Sequence, residues 1–140
     1  MPAMSNFLEN KIMDHILANG REQIYTPPET LHIALFTSDA GLENNTEGEQ
    51  TEVSGGAYAR ILLDGAVNYF TAAANGSASN HADIEFATAT ASWGTVTHAA
   101  IMDAAASGNV LFWGPLIVPK SVASGDLFKI TAGSLTLSID

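Results

Sequence analysis

A chain of 140 residues with no cysteine and a formal net charge of −10 meets several limits at once. The length suits one domain over residues 1–140 that buries its own core, and the missing thiols exclude disulfides, cysteine nucleophiles and cysteine-held metals. Fifteen acids face five scattered bases, Lys11, Arg21, Arg60, Lys120 and Lys129, so no clustered cationic surface for nucleic acid is expected.

No membrane partner is expected either, since no run of about 18 apolar residues occurs. The first ten residues lack the basic and apolar regions of a secretory signal. Only 14% of residues are charged, which predicts a surface of small side chains suited to broad protein contact.

The spacing of Leu8, Ile12 and Ile16, widened by Met13 and Leu17, predicts a helix over 5–18. Asn6 is placed to cap it with Glu9 in a variant capping box, and Asn19-Gly20 to stop it. The helix either covers one end of the core or docks on a neighbouring subunit through Phe7, Leu8 and Ile12. Thr26-Pro27-Pro28-Glu29 reads as a linker.

After the prolines the period changes to two. Leu31, Ile33 and Leu35 take one face and His32, Ala34 and Phe36 the other, predicting a strand covered on both sides. Residues 38–56 read as a long acidic loop whose Glu43, Glu47 and Glu49 are expected to meet a partner. The loop lacks EF-hand spacing, so no metal is assigned to it.

Further strands are predicted over 58–63, 66–71, 83–87, 95–103, 110–118, 127–131 and 134–139, separated by glycine-rich turns. In the last, Leu135, Leu137 and Ile139 should point inward. Residues 72–91, rich in small side chains, read as an edge strand with flanking loops. Together these describe an antiparallel β-sandwich over 31–139, jelly-roll or immunoglobulin-like, with one N-terminal helix.

Catalytic chemistry finds no footing. His15, His32, His81 and His98 fall in four different predicted elements, and Ser54-Gly55-Gly56 lacks the strand–nucleophile–helix context of a serine hydrolase. His81 beside Asp83, and Asp83 with Glu85 on one strand face, are the nearest candidates for acid–base work, and an exposed polar face explains them better. No catalytic, cofactor or metal residue is assigned. Tyr58, Arg60, Trp93 with Gly94, and Trp113 are read as structural. Trp93 should seal the core, and Phe112 and Trp113, adjacent on a strand, should project to opposite faces.

Several segments carry a resemblance: Asn6-Phe-Leu-Glu-Asn-Lys-Ile-Met-Asp-His15, Leu31-His-Ile-Ala-Leu-Phe-Thr37, Thr51-Glu-Val-Ser-Gly-Gly-Ala-Tyr-Ala-Arg60, Ala91-Ser-Trp-Gly-Thr-Val-Thr-His98, Asp103 with Gly108-Asn109, Lys120-Ser-Val-Ala-Ser-Gly-Asp126 and Ala132-Gly-Ser-Leu-Thr-Leu137. In this order they resemble a family of small tailed-bacteriophage virion proteins, labelled tail-fibre or structural proteins, some of them similar to capsid decoration proteins. The resemblance implies a virion location, no catalytic residue, and partners among other virion proteins. The major capsid protein is the first expectation among these, with a homo-oligomer beside it. A tail-fibre or tail-associated module that recognises a host receptor or sugar is the alternative.

Overall fold

The computed structural model describes residues 3–17, 25–63 and 69–139. Its strands are β1 (Ala3–Met4), β2 (His32–Phe36), β3 (Ile61–Leu62), β4 (Ser77–Ser79), β5 (Ile84–Glu85), β6 (Gly94–Met102), β7 (Val110–Val122), β8 (Lys129–Ile130) and β9 (Thr136–Ser138). One helix, α1 (Asn6–Leu17), follows β1, and a short 3-10 turn spans Glu47–Glu49. Residues 18 and 19–20, where the helix stop was expected, and residues 66–68 of the expected 66–71 strand lie outside the described residues.

The fold is a mainly antiparallel β-sandwich with one helix near the N-terminus. The larger sheet runs β1-β7-β6-β2-β3, and two small ladders, β4-β9 and β5-β8, form the opposing layer. Ile33 and Leu35 of β2, Val96 and Ile101 of β6, and Ile84, Phe86 and Phe128 of the second layer build the main core. On the other side of the large sheet, Ala34, Phe36, Ala100, Met102 and Val110 pack round Leu42. All five residues of β2 are therefore buried, because each face of that strand has its own apolar cover.

Several local expectations are corrected. The helix is capped by Ser5, whose Oγ accepts the Leu8 amide at 3.3 Å while its hydroxyl donates to the Val110 carbonyl. Pairing of β1 with Phe112 and Trp113 carries the chain to that spot, and Asn6 instead donates to Asn44 Oδ1 at 2.8 Å. Only Leu8 of the helix is buried; Met13, Ile16 and Leu17 face outward. Residues 72–91 form two strands in two different ladders, not one edge strand. Ile139, expected to point inward, is exposed just beyond the end of β9.

The expected acidic loop is a folded cover. Thr37 and Val53 are hydrogen-bonded to Thr51 and Leu35, and Leu42 is fully buried. Asn45 sits at φ +53°, and its side chain bridges Asn109 and the Val110 amide, each at 2.8 Å. Asn tolerates that left-handed conformation better than most residues. Asn80 joins the two ladders of the second layer. Its amide nitrogen donates to the Ala82 and Thr131 carbonyls at 3.0 Å, and its oxygen accepts the Leu135 amide at 2.9 Å.

A candidate protein-docking groove

The strand β7 is thirteen residues long, and its pairing with β6 is broken once in the middle. From Val96 to His98, β6 advances two residues; β7, from Lys120 back to Pro115, covers five. Three extra residues therefore bulge from β7, with Pro115 and Pro119 at either end of Leu116-Ile117-Val118. Proline suits such a place because it fixes φ and has no amide to leave unpaired. The bulge turns Ile117 outward, where it is 92% exposed. Bulges at sheet edges commonly re-aim a side chain in this way.

Beside this knob the sandwich is open. A groove of about 620 Å³ runs between β6–β7 and the β8–β9 segment. Phe112, Leu116, Ile130, Leu135 and Leu137 line it, with Lys120 and Lys129 as its charged residues; among the described residues no Asp or Glu contributes. Among the described residues β1 pairs with β7 only at Phe112 and Trp113, so the edge of β7 beyond Gly114 carries no further strand. Apolar concavities of this size next to an exposed aliphatic knob mark docking surfaces for other molecules.

The residues singled out from sequence take these places. Trp93 is buried, its Nε1–H donates to the Gly56 carbonyl at 2.9 Å, and its ring meets Tyr58 and Phe86 edge-on. Gly56, at φ +57°, has no room for a side chain: a Cβ would lie 2.9 Å from Trp93 Nε1. Gly94 sits at φ +78° where the chain enters β6. Phe112 packs on the main core and Trp113 on the Leu42 side. Trp113 Nε1–H donates to Glu43 Oε2 at 2.8 Å, so Glu43 is engaged within the chain, while Glu47 and Glu49 are exposed. Phe7 and Ile12 are half-buried and Leu8 is buried. The exposed large apolar residues of the helix are Met13, Ile16 and Leu17.

Arg60 anchors a polar cluster. Its Nε and Nη2 clamp the two Glu52 oxygens, each at 2.7 Å, and Nη1 donates to the Ala104 and Ser107 carbonyls at 2.8 Å. Tyr58 donates to the same carboxylate at 2.9 Å and accepts the Leu35 amide at 3.0 Å. Burial pushes the Tyr58 phenol upward. Burial works against the Arg60 charge, and Glu52 more than offsets it, leaving the guanidinium above its ordinary value. Every donor is turned inward, so the arrangement is a brace between the Glu52 segment and the β6–β7 hairpin, not a binding site.

His32 lies near this cluster, 7% exposed, and its Nδ1 has no hydrogen-bond partner. Burial first, and then the Arg60 charge, lower its pKa from the usual histidine value. The unfolded chain, with an ordinary value near 6.5, therefore takes up a proton more readily than the folded one. Stability should be full above about pH 6.5 and fall as pH drops below it. Thermal melts between roughly pH 8 and pH 5 should show that loss, and His32→Gln should flatten it.

Asp83 accepts the Ala132 amide and lies 3.5 Å from Lys129, and the Ala132 bond, ahead of the lysine, lowers its pKa. His15 Nδ1 accepts the Tyr25 amide at 3.2 Å, and His98 sits against Trp113. Among the described residues no three His, Asp or Glu side chains converge on one point, and no helix is long and apolar enough to cross a membrane.

A family model described as Podophage GP4 fiber I protein gp80 matches residues 3–138, nearly the whole chain. The chain belongs to this family. The family is one of phage fibre and virion structural proteins, as the resemblance implied. No curated protein matches the sequence. The matched span covers β1 through β9, so the groove and the knob at Ile117 both lie inside the family's domain. Sequence reasoning missed the groove because Gly114-Pro115-Leu116-Ile117-Val118-Pro119 reads as the apolar end of a strand. The two prolines with three residues between them were the available signal.

Proposed function

We propose that this chain is a non-enzymatic structural subunit of a podophage fibre or of the tail region that carries one. It is held in the particle by contact with other virion proteins. The observation that carries the reading is the open apolar groove with its proline-bracketed knob. A monomer that left Ile117 and the groove uncovered would expose an aggregation-prone patch, whereas a subunit in an assembly buries it. Among the described lining residues the groove holds no His, Asp or Glu to act as a base, which favours binding over turnover.

Capsid decoration is the second reading. The small sandwich has no repeat from which a fibre shaft could be built, and the exposed Glu47–Glu49 turn could meet a basic patch of the major capsid protein. Gold labelling of purified particles with antibody to this chain separates the two. Label confined to the tail or its fibres supports the first reading, and label over the whole head supports the second. Particles without label, or hydrolysis of capsular polysaccharide or peptidoglycan by the purified chain that a single carboxylate substitution abolishes, would overturn both.

A further inference from the structure

Among the described residues two apolar surfaces of opposite electrostatic character lie exposed. The first is the groove, whose charged lining residues, among those described, are Lys120 and Lys129. Among the described residues the remaining bases are Lys11, stacked 5.8 Å over the Phe7 ring, and Arg60, consumed by Glu52. Lys129 shares its charge with the surface carboxylate of Asp83, 3.5 Å away, and among the described residues Lys120 makes no ion pair, so the groove keeps a net positive charge in a chain of net charge −10. The second is the outer stripe of α1. Met13, Ile16 and Leu17 recur at helical spacing and are all exposed, Ile16 to 69%. Glu9 stands one turn before Met13 on that stripe, and Asp14 borders it.

We infer that the stripe of α1 on one copy docks in the groove of the next. The inference rests on reading the chain as a binding subunit and names its partner. Met13, Ile16 and Leu17 enter between Phe112, Leu116 and Leu135, while Glu9 and Asp14 approach Lys120 and Lys129. The two surfaces are different parts of the chain, so the contact is head-to-tail and repeats from copy to copy until it closes into a ring or continues as a row. Helix-in-groove recognition with flanking charge pairs is an established way of joining proteins. The charges set orientation and encounter rate, and the aliphatic side chains supply most of the affinity.

The test uses the purified full chain in analytical ultracentrifugation over a range of concentration and salt. Wild-type protein should form species larger than a dimer or a closed ring, and salt should weaken them. Ile16→Glu spoils the helix surface and Ile117→Glu places a carboxylate at the mouth of the groove. Both sites are exposed, so unchanged circular dichroism and melting should accompany at least a roughly 30-fold loss of self-association. Mixed together, the two variants retain one good helix and one good groove. They should form a one-to-one dimer that grows no further. Lys120→Glu should weaken association, and Glu9→Lys in the same chain should restore part of it.

A wild-type chain that stays monomeric throughout overturns the inference, as do variants that associate like wild type. A two-fold dimer that both variants abolish and their mixture does not restore overturns it as well. A monomeric wild-type chain still found in purified particles would sink this contact alone and leave the virion-subunit reading standing.

Discussion

Trp93→Ala should cost about 3–5 kcal/mol of stability, the range for removing a large aromatic from a packed core. The indole joins three parts of the molecule. Its ring packs edge-on against Tyr58 and Phe86, at centroid distances of 5.4 and 6.4 Å. Its N–H satisfies the Gly56 carbonyl, and its own backbone amide pairs with Val122 at the far end of β7. The loss combines a cavity under both layers with a carbonyl stripped of its donor. Because a domain's whole stability is about 5–15 kcal/mol, the variant should melt far below wild type or fail to fold. Trp93→Phe keeps most of the ring and removes the donor, so it should lose much less. Urea melts of the two variants decide the matter. Equal, small losses would place the energy elsewhere.

Arg60→Met should be the second large effect, about 3 kcal/mol. The Arg60 side chain is 5% exposed and that of Glu52 26%. Removing the guanidinium leaves the carboxylate without its bidentate partner and the Ala104 and Ser107 carbonyls without a donor. Breaking a buried ion pair from one side costs about 3–5 kcal/mol, and the partial access of water to Glu52 moves the value toward the lower end. The double variant Arg60→Met with Glu52→Gln should recover part of the loss, because it no longer strands a charge. A double variant no more stable than Arg60→Met would mean that the carbonyl contacts, and not the ion pair, hold the hairpin.

Much of the architecture was legible in the residues themselves. The change from helical to two-residue periodicity after Pro27-Pro28 separated α1 from the sheets. The alternation in Leu31-His32-Ile33-Ala34-Leu35-Phe36 assigned opposite faces to residues that do pack in two different clusters. These readings worked because periodicity is a property of neighbours in the chain. The small strands were harder to place. Residues 77–79 carry a weak pattern of their own and become a strand because β9 lies alongside them, whereas 84–85 fall inside the strand expected over 83–87.

The roles of the acidic residues and of β7 were decided only in three dimensions. Composition makes 38–56 look like a solvated loop, yet one leucine, Leu42, fills the space under Phe36 and Met102 and draws the segment onto the sheet. Glu43 and Glu52 then find their donors in Trp113 and Arg60, residues 70 and 8 positions away. Likewise the two prolines of β7 mark an irregular stretch, but that the strand gains three residues there against β6 is not a local property. That follows from pairing Gly94 with Val122 at one end and Ala99 with Gly114 at the other. The sequence by itself determined which residues are apolar, which can turn and which can be strands. Tertiary pairing decided which apolar residues remain outside, because register and long-range contact, not composition, leave Ile117 and the α1 stripe uncovered.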